Sequence, residues 1–154
     1  MKARILGISS HLPEKIETND DLNRENPDWD MAKVGSKTGI LARHVAAKDE
    51  TACDLGYEAA RKLLKRELVP VDEIDYLIVS TQTPDHFVPS NACLLHHRLG
   101  LGQHIGAFDF SLGCAGYVYG LQLAQSLVLA GAARHVLLVT GETYSKLIHP
   151  QDRT

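Results

Sequence analysis

Only three of the 154 residues are cysteines, only one is a tryptophan, aromatic residues make up 6%, and the formal net charge is just -3. Each shortage narrows what the chain can be. Cys53, Cys93 and Cys114 form no Cys-x-x-Cys pair and no ligand-like spacing, which argues against a disulfide framework and against a zinc site. An odd number of thiols behind a start (Met1-Lys2-Ala3-Arg4) that is no secretory leader points to the cytoplasm. A small negative charge offers no grip on nucleic acid or on an anionic membrane. No apolar run reaches the roughly 20 residues that a membrane helix needs. The histidines are scattered, with His96-His97 as a surface pair, so no metal is expected. A dinucleotide-binding domain needs Gly-x-Gly-x-x-Gly after its first strand; only Gly7 stands there, and Gly113-x-x-Gly116 is wrongly spaced.

What remains has the composition of a globular protein, with 44% hydrophobic and 23% charged residues. The opening Met1–Ile8 reads as a strand. Thr51 followed by Asp54 reads as a helix start, with Leu55, Ala59 and Leu63 as its buried stripe. Tyr76–Ser80 is continuously apolar and β-branched, the pattern of a strand covered on both faces. Pro89-Ser90 opens a helix that Gly100 stops. Ile105–Phe110 is the next strand, a helix runs from about Ala115 to Ala132, and His135–Val139 is a further buried strand. Short connections between alternating strands and helices imply right-handed crossovers and a mostly parallel α/β sheet with helices on both faces. Residues 12–45 are polar and irregular and read as an insertion, with a helix start at Thr18 and an end at Lys37–Ile40. Cys53 and Cys93 read as packing residues.

Cys114 stands out. A strand delivers it, among Gly113, Ala115 and Gly116, to the start of an apolar helix. Unpaired N–H groups and the macrodipole favour negative charge there, and a thiol so placed is suited to nucleophilic attack. Cysteine is more often just a small buried hydrophobe, and with its small neighbours and its strand-to-helix junction the local pattern leaves both readings open for Cys114. The helix that follows has Gln122, Gln125 and Ser126 as its only strongly polar side chains. It is therefore expected to be buried on nearly every face, with Gly116, Gly120 and Ala124 allowing close packing. One domain of this size cannot supply cover on both sides, so a missing half or a partner is expected.

Several motifs, in order, resemble one family. Ile5-Leu6-Gly7 with Leu12–Lys15 and Thr18–Leu22 is similar to the opening of the β-ketoacyl-acyl-carrier-protein synthase III enzymes, of the thiolase-like condensing superfamily. Lys37-Thr38-Gly39-Ile40 with Arg43-His44 resembles their R-T-G-I-x-x-R-H segment. Thr83-Pro84-Asp85 with Pro89–Cys93 resembles their dimer-loop region, Cys114–Tyr117 their C-A-G-F motif, and Asp152-Arg153 their D-R pair. The resemblance covers nearly the whole chain and implies a thiolase-like N-terminal half whose Cys114-bearing helix is buried.

It further implies that Cys114 accepts an acyl group from acyl-CoA or acyl carrier protein (ACP). The acyl group then condenses with malonyl-ACP, losing carbon dioxide. The Cys114 N–H would form part of an oxyanion hole. The family's decarboxylation His and Asn lie in its C-terminal half, so the 154-residue chain alone is expected to lack condensing activity. The coenzyme A thioester is a substrate, and no resident cofactor is implied. Lys33 and Lys37 occupy the places of the family's adenine-stacking Trp and of the Arg of R-T-G-I, with Trp29 four residues earlier, while Arg153 matches the other adenine-stacking residue. Lysine lacks the planar fork that stacks, which leaves acyl-ACP as an alternative donor. Phe87 and Val88 stand where a dimer mate reaches into the acyl pocket, and a homodimer is implied. A hydroxymethylglutaryl-CoA synthase-like or chalcone-synthase-like enzyme, or a non-catalytic condensing-fold subunit, are the alternatives within the superfamily.

Overall fold

A computed structural model describes residues 2–149, which fall into two compact units, one of residues 12–50 with 143–149 and one of residues 2–11 with 51–142.

In the unit built around residues 12–50, β1 (Ile16–Thr18) pairs antiparallel with β2 (Ala42–His44), and α1 (Asn19–Glu25) and α2 (Met31–Thr38) lie between them in sequence. Thr18 caps α1 through a reciprocal box with Asp21, and Gly39 ends α2 in the left-handed region at φ 74°. The motif residues here tie the chain together. Asn19 donates to the Ile40 carbonyl at 2.9 Å and accepts from Arg43 Nη2 at 2.5 Å, while His44 Nδ1 meets the Pro13 carbonyl at 2.5 Å.

The second unit carries the sheet. Helix α3 (Ala52–Leu64) leads to β3 (Tyr76–Ser80), α4 (Asn91–Arg98), β4 (Gly106–Phe110), α5 (Gly116–Leu129) and β5 (Val136–Thr140). All three strands are parallel, in the order β4-β3-β5. The chain steps from β3 to one side through α4, then back across to the other side through α5. Right-handed crossovers in opposite directions put α4 and α5 on opposite faces. Leu77, Val79, Leu137 and Val139 point to the α3/α4 side and form a core with Cys53, Ala60, Ala92 and Leu95. Among the described residues no helix is long and apolar enough to cross a membrane.

Four expectations need correction. Residues 2–8 form no strand. They line a cleft of about 850 Å³ whose other wall includes Val136–Thr140 of β5. Instead of a ladder, side chains at and just beyond the end of α3 reach the segment and the residues after it, with Arg66 donating to the Ile8 carbonyl at 2.9 Å and Lys62 to the Ser10 carbonyl at 3.4 Å. The buried stripe of α3 is Ala52, Cys53, Leu55, Gly56 and Ala60; Ala59 and Leu63 face that cleft. Cys53 is buried but Cys93 is exposed, because it lies on the outer side of α4 away from Ala92 and Leu95. Finally, α5 buries only Gly116 and Gly120, and Val118 is 64% exposed. Its inner side packs on the sheet, and nothing among the described residues covers its outer side.

Candidate active site around Cys114

Parallel sheets place their sites beyond the carboxyl ends of the strands, where the crossover direction reverses. Three loops leave that end here: Thr81–Thr83 after β3, Ser111–Ala115 after β4, and Gly141-Glu142 after β5. Cys114 is exposed in the middle loop. The loop is a tight turn, closed by the Gly116 N–H donating to the Gly113 carbonyl at 2.8 Å. Helix α5 starts at Gly116 behind Ala115, which supplies no side-chain cap. Among the described residues the N–H groups of Cys114 and Ala115 donate to nothing, so the helix start is open to an incoming acceptor.

Small residues make this geometry attainable. A Cβ at Gly116 would collide with the Ser80 hydroxyl, and one at Gly120 would stand 2.6 Å from Leu138 Cδ1. The helix start therefore sits directly on the end of β3, and its second turn on the middle of β5. Ser80 also donates to the Leu112 carbonyl at 3.4 Å. Gln82 lies over Gly113, and its Oε1 would stand 2.7 Å from a Cβ there. Glu142 accepts from the Gln82 N–H at 2.8 Å and from the Thr83 hydroxyl at 3.0 Å.

A second network holds the loop of Phe87 and Val88, which are 100% and 86% exposed. Asn91, almost fully buried, accepts from the Asp85 N–H at 3.0 Å and donates to Asp85 at 3.2 Å. Asp109 on β4 accepts from the N–H groups of Asn91 and Ala92 at 2.8 and 2.6 Å, anchoring the start of α4. The loop tip is thus clamped at its base while its apolar side chains project outward. Burial, with the nearby Asp85 carboxylate, raises the pKa of the Cys53 thiol, so Cys53 is poorly suited to be a nucleophile.

Of the expected site residues, Lys33 and Lys37 are exposed and lie one turn apart on α2. Phe87 and Val88 are adjacent in their loop, and Cys114 stands in its own. Arg153 and Asp152 lie outside the described residues. The sequence reading missed Gln82, Asn91, Asp109 and Glu142. Asn91 sits inside a quoted motif, but Gln82 and Glu142 meet across 60 residues of sequence, which no local pattern records.

Comparison with known proteins accounts for this arrangement. Residues 108–154 match the family model described as 3-oxoacyl-[acyl-carrier-protein (ACP)] synthase III. A β-ketoacyl-[acyl-carrier-protein] synthase III of Xanthomonas campestris pv. campestris is 43% identical over 99% of this chain. A crystal structure of a 3-oxoacyl-(acyl-carrier-protein) synthase III superposes with a TM-score of 0.92 at 54% identity, over 97% of this chain and 44% of that one. The chain resembles the N-terminal half of β-ketoacyl-ACP synthase III enzymes. The 3-oxoacyl-(acyl-carrier protein) synthase of Burkholderia xenovorans LB400 gives a TM-score of 0.93 at 37% identity, over 99% of this chain and 44% of that chain. The chain thus has the thiolase-like α/β fold, and it spans about half the length of the curated relatives it matches, 46% of the Xanthomonas protein.

Proposed function

We propose that this chain is the nucleophile-bearing half of a β-ketoacyl-ACP synthase III-type acyltransferase, acting in fatty acid or related biosynthesis, and that Cys114 is its acyl acceptor. The observation that carries this is the exposed thiol in a tight turn at the uncapped start of α5, beyond the carboxyl ends of three parallel strands. The Cys114 thiolate attacks the thioester carbonyl of acyl-CoA or acyl-ACP. The carbonyl oxygen becomes an oxyanion facing the N–H groups of Cys114 and Ala115, where fixed dipoles stabilise it. Collapse forms the Cys114 thioester and expels the donor thiolate, which takes up the proton that Cys114 lost.

Lys33 and Lys37, with Arg153, are proposed to meet the anionic donor. Phe87 and Val88 are proposed to enter the acyl pocket of a second copy in a homodimer. No resident cofactor takes part. The acyl-enzyme then serves condensation with malonyl-ACP, which needs groups beyond those of this chain. The 154-residue chain alone therefore stops at acylation and releases no carbon dioxide from malonyl-ACP.

The test is to incubate the chain with a short-chain acyl-CoA and map the adduct by peptide mass spectrometry. One acyl group on Cys114, abolished in Cys114→Ser and resistant to high salt, supports the reading. Acylation elsewhere, or undiminished acylation of Cys114→Ser, overturns it.

A further inference from the structure

Two side chains outside the thiol loop converge on it. Ser80 and Gln82 lie two residues apart at the end of β3 and both meet the β4–α5 loop, Ser80 at the Leu112 carbonyl and Gln82 at Gly113. Gln82 is exposed and would read as a solvated surface residue. Its backbone, however, is fixed from two directions. The Glu142 carboxylate accepts from the Gln82 N–H at 2.8 Å, the Thr83 hydroxyl at 3.0 Å and the Thr81 hydroxyl at 3.5 Å. The Thr83 N–H donates to the Thr81 hydroxyl at 3.0 Å, closing the turn on itself, and both threonines are buried. Hydrogen bonds to a carboxylate are roughly twice as strong as neutral ones, yet Glu142 makes no ion pair among the described residues. Its charge is committed to the end of the neighbouring strand. The carboxamide so placed rests on Gly113, whose carbonyl closes the turn that has Cys114 at its corner.

We propose that Gln82 and Glu142 are positioning residues of the thiol loop: Glu142 fixes the 81–83 turn, and the Gln82 carboxamide it holds buttresses Gly113 and sets the direction of the Cys114 thiol. This rests on Cys114 being the acyl acceptor. A nucleophile held in reacting geometry gains rate through orientation, and an error of about 1 Å can cost about 100-fold. A buttress at one remove from the sulfur is expected to account for about tenfold of that. Gly113 is part of the same device, since a Cβ there displaces the carboxamide. That displacement moves only the flexible end of a side chain, so Gly113→Ala still folds.

The experiment follows single-turnover acylation of the 154-residue chain at varied acyl-CoA concentration, with thermal melts in parallel. Gln82→Ala, Glu142→Ala and Gly113→Ala are each expected to lower the maximal rate about tenfold while the half-saturating concentration stays unchanged. The double variant Gln82→Ala/Glu142→Ala should be no slower than Gln82→Ala alone, because Glu142 acts through Gln82. Glu142→Asp, which keeps the carboxylate, should recover part of the loss. A wild-type rate in Gln82→Ala, or losses that multiply in the double variant, overturns the proposal. Gln82→Ala settles it even where Glu142→Ala fails to fold, because Gln82 is exposed. Should the wild-type chain not be acylated at Cys114 at all, the failure lies with the acyl-acceptor reading. Iodoacetamide labelling of Cys114 relative to Cys93 then reads positioning independently: the ratio falls in Gln82→Ala, and an unchanged ratio refutes the buttress.

Discussion

Helices α3 and α5 approach the same strand in the same way and end in opposite situations. On β5, Leu138 and Val139 are consecutive and point to opposite faces. A Cβ at Gly120 of α5 would stand 2.6 Å from Leu138, and one at Gly56 of α3 would stand 2.9 Å from Val139. Each helix thus packs through a glycine. The outer side of α3 carries Glu58 paired with Arg61 at 2.5 Å, exposed Lys62, and Asp54 paired with Arg98 at 2.8 Å. The outer side of α5 carries Val118, Tyr119, Leu123 and Leu129, between 40% and 64% exposed. A polar outer face is finished by water, whereas an apolar one is finished by another protein surface. The open face is that of the helix which Cys114 precedes.

The comparison breaks first on stability. Leu95→Ala, in the sealed core under α3 and α4, is expected to cost about 2–5 kcal/mol. Val118→Ala, on the open side of α5, should stay within about 0.5 kcal/mol. Denaturant melts of both decide it, and equal losses would mean that α5 is already covered in solution.

It sharpens next on association. An exposed apolar face stabilises pairing by about 25 cal/mol per Å² covered, before association costs. The chain should self-associate at low micromolar concentration, and Val118→Lys with Leu129→Lys should return it to monomer. Lys62→Glu on α3 should change nothing. Sedimentation velocity checks all three, and a monomeric wild-type chain would contradict the contrast.

A smaller effect lies in the caps. Thr51 and Asp54 form a reciprocal box at the start of α3, with the Asp54 N–H donating to Thr51 at 3.1 Å. Thr51→Ala should cost about 1 kcal/mol, measurable as a lower melting temperature, whereas α5 has no side-chain cap to lose.

These contrasts show what a sequence records. The capping box, the apolar run of β3 and the Ser90 and Gly100 limits of α4 are local signals, and the structure has them where the pattern puts them. The strand-to-helix junction at Cys114 was legible for the same reason. Residues 2–8 looked like a strand because Ile5, Leu6 and Ile8 are apolar and two of them β-branched, but a strand is defined by its ladder partner, and among the described residues none pairs with this segment. Cys93 looked buried because its neighbours are apolar, and a short helix leaves the choice of face ambiguous. Glu142, Gln82 and Asp109 act between ends of different strands, so only the folded sheet brings them together.

The smallest expected effect concerns the far end of the sheet. Asp75 accepts from the N–H groups of His135 and Arg134 at 2.9 and 2.6 Å, and these bonds hold its pKa below the ordinary carboxylate value. Its contribution is complete above about 3.9, the unfolded value, and is lost as pH falls through the lower folded value. Because Asp75 is only partly buried, the effect is small. The wild-type melting temperature should fall more steeply below pH 4 than that of Asp75→Asn, and parallel acid curves would remove Asp75 from the account.

The most direct measurement is competitive thiol labelling of the folded chain with limiting iodoacetamide at neutral pH, followed by peptide mapping. Cys93 and Cys114 are both exposed and Cys53 is buried, so exposure alone predicts similar labelling of the first two. A nucleophile at the open start of α5 predicts that Cys114 is modified well ahead of Cys93, with Cys53 untouched until the chain unfolds. Labelling of Cys93 as fast as Cys114, or of Cys53 before either, would contradict the assignment of Cys114 as the acyl acceptor.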